Sequence, residues 1–445
     1  MRHSSASPAT SLRARLEACE ALVGVVGLGY VGLPVALTFV EGGFSVLGFD
    51  VDAEKVARLQ RGESYIAHLP AGEIAAAVEG GRLEATADAA RLGEPDALVL
   101  CVPTPLTEHR EPDLSHVETT ARQIGAVLRP GQLVVLESTT YPGTTDELLK
   151  EILERASGLE CGEDFFLAFS PEREDPGNRR FRTREIPKVV GGVDPLSGDL
   201  AELLYRRGFA SVVRVSSSRT AEASKLTENV FRAVNIALVN ELKIVYDRMG
   251  IDVWEVLDAA ETKPFGFMRF DPGPGWGGHC IPLDPFYLSW KARQHEIVPR
   301  FIELAGEVNV AMPGYVVGKL QEALDRRGRA LRGAAILVLG LAYKRDVADP
   351  RESPAFEVID RLLELEAEVS YHDPHVPVAP AMRTWPDLPP LESVALTDEA
   401  LRAADAVVIV TDHSAVDYER VAELASLVVD TRGVYREARG NVVKA

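Results

Sequence analysis

Two periods alternate along this chain. Apolar runs at residues 22–26, 44–49, 97–102, 132–140, 165–170 and 188–193 are short and rich in Val, Leu and Phe. Such runs predict strands buried on both faces of a sheet. Between them, residues 117–128 and 145–156 repeat their apolar positions at helical spacing. The alternation predicts a doubly wound α/β domain over residues 21–215, after a Ser- and Ala-rich leader of residues 1–20. The grammar then changes. Ala223, Leu226, Val230, Ala233, Val234, Ala237 and Leu238 recur at helical spacing, and the phase continues through Leu242 and Val245. One long helix is expected from about residue 220 to 249, in a helical region covering residues 216–328. From Gly333 the strand signal returns at 335–339, 368–371, 406–410 and 427–429. Residues 329–445 therefore read as a second α/β domain.

The first strand runs into Gly27-Leu28-Gly29-Tyr30-Val31-Gly32, which opens an apolar segment of helical length. This is the glycine fingerprint of a dinucleotide-binding turn in its proper strand–turn–helix setting. Asp50 ends the next strand, eighteen residues beyond Gly32, close to the spacing at which an acid meets the adenosine ribose. A carboxylate there favours NAD, since it would repel the additional phosphate of NADP. The fold class is thus two Rossmann-like doubly wound domains joined by a helical central domain with a long helix.

A second signature lies far downstream, in Gly273-Pro274-Gly275-Trp276-Gly277-Gly278-His279-Cys280-Ile281-Pro282-Leu283-Asp284. Glycines let backbone approach a ligand closely, so Cys280 and Gly275 are read as facing substrate. A thiolate beside a hydride acceptor can add to an aldehyde and pass through a thioester, which then needs water. Asp284, Lys225 and Glu172 are candidates to organise or deprotonate that water. Lys225 and Asn229 stand four apart on the long helix, hence on one face, where they would hold an oxyanion. Asn235 and Asn240 on the same helix blur that signal. His372 and His375 invite a metal reading, but the strand-end turn accounts for Asp373-Pro374 and no metal is expected.

Composition narrows the class. The formal net charge of −19 over 445 residues argues against general affinity for nucleic acid or anionic membrane. The ligand site must then be locally positive. No apolar run approaches the length of a bilayer span, and the first ten residues lack a signal-peptide core. Four cysteines, Cys19, Cys101, Cys161 and Cys280, are scattered without metal-type or disulfide-type spacing. A reducing, cytoplasmic setting is expected, with only Cys280 in a reactive context.

Together these motifs resemble the nucleotide-sugar 6-dehydrogenases, the group of UDP-glucose, UDP-N-acetylhexosamine and GDP-mannose dehydrogenases. The resemblance spans about residues 20–435. It rests on the Gly27–Gly32 turn, Val102-Pro103-Thr104-Pro105, Ser138-Thr139, Ser170-Pro171-Glu172, Lys225 with Asn229, Gly277-Gly278-His279-Cys280 with Asp284, and Tyr343-Lys344 through Arg351-Glu352-Ser353. It implies a four-electron oxidation of the sugar C6 hydroxymethyl to a carboxylate with two NAD and one water. By the same resemblance Cys280 is the nucleophile, Lys225 and Asn229 stabilise the oxyanion, and Asp284 cooperates with Lys225. Glu172 with Thr139 would position or deprotonate water for thioester hydrolysis. Gly27, Gly29, Tyr30, Val31 and Gly32 would hold the pyrophosphate, with Asp50, Thr104, Thr139 and Arg351 elsewhere along NAD. Lys344 and Arg432 would contact the nucleotide, and Arg269 resembles a substrate-binding residue that relatives can supply from a neighbouring subunit. A homodimer or higher homo-oligomer is implied.

The stretch Glu172-Arg173-Glu174-Asp175-Pro176-Gly177 carries Pro176 where glucose-type enzymes tend to carry a glutamate. That favours UDP-N-acetylglucosamine or its epimer as substrate, and leaves UDP-glucose or dTDP-glucose open. Two other classes stay open on residues alone. A single-step dehydrogenase would not require Cys280, and a silent nucleotide-sugar sensor would not require the full polar set.

Overall fold

The computed structural model describes residues 7–66, 69–107, 111–173, 183–278, 281–382 and 384–445. The chain divides into two compact units, Met1–Glu228 with Trp290–Glu296, and Asn229–Ser289 with Ile297–Ala445.

The first unit is built on an eight-stranded sheet of β1 (Leu22–Val26), β2 (Ser45–Phe49), β3 (Leu83–Thr86), β4 (Ala97–Leu100), β5 (Leu133–Leu136), β6 (Phe166–Phe169), β7 (Lys188–Gly192) and β8 (Val212–Arg214), in the order β3-β2-β1-β4-β5-β6-β7-β8. Strands β4, β5, β6 and β7 are buried at every position, which is why they read as unbroken apolar runs. The predicted strand at 132–140 is shorter, because Glu137 to Thr140 turn away from the ladder to form the loop that carries Thr139. The order reverses between β1 and β4. Such a switch point opens a crevice at the carboxyl ends of the strands, where α/β sheets take their ligands.

Strand β7 departs from the parallel pattern. It pairs antiparallel with β6, Phe169 against Gly191 and Ala168 against Gly192. Its first residue, Lys188, therefore lands at the carboxyl end of β6. Nothing in an apolar run states its direction, so the sequence reading did not contain this.

Within the leader, Pro8–Glu17 is a helix, capped where Thr10 N donates to Ser7 Oγ at 3.2 Å. It buries Leu12 and Leu16 in the same core as the β1 residues Val23 and Val25 and packs on the helix Pro195–Gly208. This segment is part of the fold, not an appendage.

The predicted long helix runs over Ser218–Met249. Asn240 on it is fully buried and structural. Its Nδ2 donates to Asn309 Oδ1 at 2.8 Å, and its Oδ1 accepts from Gly273 N at 2.9 Å. Asn235 bonds back to Phe231 O in its own helix.

The second unit carries a five-stranded parallel sheet of β9 (Ala335–Leu339), β10 (Glu368–His372), β11 (Ala406–Ile409), β12 (Val428–Asp430) and β13 (Val442–Lys444), ordered β10-β9-β11-β12-β13. Gly340 after β9 has φ +88°, and a Cβ there would come within 2.4 Å of Thr411 O. Only glycine allows this turn to close against the end of β11. Lys344 and Arg432 follow β9 and β12, at the carboxyl edge of the sheet.

Candidate active site

The glycine turn after β1 meets the loop after β4. A Cβ on Gly27, whose φ is +91°, would lie 2.6 Å from Cys101 O, and one on Gly32 would lie 1.8 Å from Gly27 O. Both positions exclude side chains, so the turn stays tight and the helix Gly32–Glu41 starts directly behind it. At Gly29 nothing lies within 4 Å of a would-be Cβ. That open side, at a helix N-terminus, is what a pyrophosphate needs. Tyr30 is 45% exposed beside it. Asp50 is anchored at the end of β2, its two oxygens accepting from Leu28 N and Asp52 N, each at 2.9 Å. The turn and the acid therefore fit NAD.

Thr104 and Thr139 come together at the same edge, where Thr104 Oγ1 donates to Thr139 O at 2.8 Å. The loop carrying Thr139 is tied to the start of the long helix by Glu222. This buried carboxylate accepts from Gly143 N at 2.7 Å and from Thr145 N and Oγ1 at 2.9 and 2.7 Å. Burial pushes it up to about 7 against those donors. Lys225 lies one turn further along and is 7% exposed.

Glu172 sits beyond β6. Its Oε2 accepts from Lys188 Nζ at 2.8 Å and its Oε1 from Arg173 N at 2.6 Å. Lys188 also reaches Glu137 Oε2 at 3.0 Å, and Glu137 Oε1 accepts from Tyr205 OH at 2.5 Å. Burial raises the Glu137 carboxyl, with the Lys188 charge opposing it. Burial also works against the Lys188 ammonium, but the two carboxylates outweigh it and hold the lysine above its usual range. Burial likewise drives the Cys101 thiol well up, with Glu137 adding to the shift. Cys101 is partly buried and packs against the core beside this cluster, as expected of a small core residue. Lys188, Glu137 and Tyr205 were missed in the sequence. The available signal was Lys188 itself, a lone charge heading the apolar strand Lys-Val-Val-Gly-Gly.

In the second unit, Asn229 Nδ2 donates to a carboxylate oxygen of Asp284, which opens the helix Asp284–Gln294. His279 and Cys280 lie outside the described residues, as do Glu174 to Gly177. The flanking glycines are constrained. Gly275 and Gly278 have φ of +134° and +84°, and a Cβ on Gly277 would stand 2.8 Å from Tyr343 Cβ. Gly278 N donates to Arg351 O at 3.1 Å, and the Arg351 side chain is held by Asp349, with Nη2 to Oδ2 at 2.6 Å. Arg432 Nε donates to Val410 O at 2.6 Å, and its Nη1 lies 2.5 Å from where a Gly273 Cβ would be. Gly273 thus makes room for the guanidinium. Lys344 is partly exposed. Arg269 is ion-paired with Asp258, Glu261 and Asp271 at 2.6 to 2.9 Å.

His375 and His413 stack edge to face at 4.9 Å, with Asp346 close by. His413 Nδ1 accepts from Asp346 N and its Nε2 contacts Asp373, both at 3.0 Å. With both nitrogens committed, this imidazole is a structural strut between turns. His372 bonds Val394 O.

Three family models of the UDP-glucose/GDP-mannose dehydrogenase family match in order along the chain. The NAD binding domain covers residues 21–208, the central domain 219–311 and the UDP binding domain 337–437. Among curated relatives, UDP-N-acetyl-D-glucosamine 6-dehydrogenase of Pseudomonas aeruginosa is 40% identical over 364 residues, covering 82% of this chain and 85% of the relative. NDP-N-acetyl-D-galactosaminuronic acid dehydrogenase of Ralstonia nicotianae is 36% identical over 94% of this chain and 97% of its own length. The solved UDP-D-ManNAc dehydrogenase of Pyrococcus horikoshii superposes with a TM-score of 0.84 at 32% identity, covering 95% of this chain and 98% of that one. The chain belongs to the UDP-glucose/GDP-mannose dehydrogenase family and is an NAD-dependent nucleotide-sugar dehydrogenase.

Proposed function

We propose that the protein oxidises the C6 hydroxymethyl of a UDP-N-acetylhexosamine, UDP-N-acetylglucosamine or UDP-N-acetylmannosamine, to the uronate. The observation that carries the covalent reading is the set of constrained glycines Gly275, Gly277 and Gly278 just ahead of Cys280 in the sequence, with Asp284, four residues beyond it, bonded to Asn229 of the long helix. The acetamido preference is supported by Pro176, and by the three relatives named above, each of which carries an N-acetyl sugar in its name while the sugars differ in stereochemistry.

The balance is R–CH2OH plus two NAD+ and water, giving R–COO−, two NADH and three protons. Bound NAD supplies a two-electron hydride acceptor, held by Gly27, Gly29, Tyr30, Val31, Gly32 and Asp50, with Thr104, Thr139 and Arg351 along its length. Lys225 and Asn229 hold the substrate oxygen as negative charge builds on it; Asp284 fixes the Asn229 amide and cooperates with Lys225 in activating water. Cys280 Sγ bonds to the aldehyde carbon as a thiohemiacetal, and oxidation of that adduct leaves a thioester. Glu172, with Thr139, takes a proton from water as the water oxygen bonds to the acyl carbon. The C–S bond then breaks, leaving the acid and the Cys280 thiolate. Gly275, Lys344 and Arg432 bind the nucleotide part, and Arg269, its charge balanced by Asp258, Glu261 and Asp271, serves as a hydrogen-bond donor to substrate.

A homodimer or larger homo-oligomer is part of this reading. Phe231, Leu238 and Val245 recur every seventh residue on the long helix and are 47%, 50% and 44% exposed, an apolar stripe suited to a second copy. We place the protein in the cytoplasm, in keeping with the free thiols of Cys19, Cys101 and Cys161.

The test is Cys280→Ser. Uronate formation should fall by at least ~10³-fold with NAD binding intact. Wild-type uronate production by this variant would overturn covalent catalysis.

A further inference from the structure

The antiparallel β7 has a chemical consequence. Extending the β6–β7 register one step at a time from Phe169 opposite Gly191 sets Lys188 opposite Glu172. The lysine is 2% exposed, and its Nζ lies between two carboxylates, Glu172 at 2.8 Å and Glu137 at 3.0 Å. Each packed element contributes one group to this cluster. Cys101 follows β4, Glu137 follows β5, Glu172 follows β6, Lys188 heads β7, and Tyr205 comes from the helix Pro195–Gly208. Arg173, next to Glu172, turns instead to Glu228, with Nη2 to Oε1 at 2.6 Å.

A buried ion pair seldom stabilises a fold more than well-packed apolar groups would, so a purely structural reason for this cluster is weak. Its geometry does fix one carboxylate. Glu172 is gripped at both oxygens, by Arg173 N and by Lys188 Nζ, while Glu137 and Tyr205 hold the lysine from behind. We propose that Lys188 is a positioning residue for Glu172, backed by Glu137 and Tyr205. It keeps the Glu172 carboxylate ionised and correctly turned for the thioester hydrolysis step. This rests on the role given to Glu172 above.

Replacing Lys188 alone would strand two carboxylates in a dry site and risk misfolding. The double variant Lys188→Met/Glu137→Gln removes one charge of each sign, so the cluster keeps its net charge and Glu172 alone loses its ammonium. With NAD and UDP-N-acetylglucosamine, rapid mixing should show a burst of two NADH per active site, then steady turnover slowed at least tenfold. KM should stay within about threefold, and the acid limb of the kcat profile should move up by a pH unit or more, since a buried carboxylate that has lost its neighbouring ammonium is easier to protonate. Lys188→Arg, which retains the charge, should restore the acid limb. Glu172→Gln is the control that separates the two readings. A two-NADH burst with Glu172→Gln but wild-type turnover in the folded double variant, or a normal acid limb in it, overturns the role of Lys188. If Glu172→Gln shows no burst and turns over normally, the role of Glu172 itself falls.

Discussion

Lys243 shows how much of this molecule is decided at single residues. Its Nζ is buried without a hydrogen-bond partner among the described residues, 5.8 Å from the ring centre of Trp254 and 5.5 Å from that of Tyr315. Burial first, and the Arg432 charge second, pull it from 10.5 down to about 7. Between those values the folded state binds fewer protons than the unfolded chain, so this group makes stability rise with pH across that window. Below pH 7 its cost is present in full. Lys243→Met should therefore raise the free energy of unfolding at pH 6 to 7 by about 1–3 kcal/mol, with the gain shrinking toward pH 10. Equal gains at both ends, measured by urea titration, would contradict the assignment. The residue was invisible as special in Asn240-Glu241-Leu242-Lys243, where it reads as an ordinary solvated lysine. Its burial depends on Trp254 and Tyr315, which the chain brings in from other helices. By contrast, the tight turn at Gly27 and Gly32 and the strand-end place of Asp50 were legible because they are local, set by one strand, one turn and the next strand.

Among elements, those whose signal is internal were read close to their true bounds. Strand β9 falls on 335–339 as predicted, and the long helix begins at Ser218 instead of about 220. Strand β3, Leu-Glu-Ala-Thr, was missed because half its positions are polar, and its burial alternates accordingly. The direction of β7 was not legible either, although it creates the Lys188 cluster. The long helix carries a prediction of its own. Leu238 is half exposed on the stripe of Phe231 and Val245, and Leu238→Glu places a charge at its centre. Sedimentation equilibrium should show the wild type as a dimer or larger and the variant shifted toward monomer, with unchanged helix content. A wild type that is monomeric at micromolar concentration would contradict this reading of the stripe.

At the scale of the whole molecule, both sheets place their candidate groups at carboxyl edges beside a switch in strand order. One edge fits NAD and the other carries Lys344 and Arg432. Among the described residues no helix is long and apolar enough to cross a membrane. A net charge of −19 disfavours general affinity for nucleic acid. Family and chemistry class were legible in the sequence because several short motifs stand in a fixed order. The sugar was not, because an acetamido and a hydroxyl differ at one position, and a few pocket contacts distinguish them. The most direct test of the account counts NADH formed per sugar consumed with UDP-N-acetylglucosamine, UDP-N-acetylmannosamine and UDP-glucose. Two NADH per sugar, with an N-acetylated donor preferred and no free aldehyde, is the predicted result; one NADH per sugar with release of the aldehyde would contradict it.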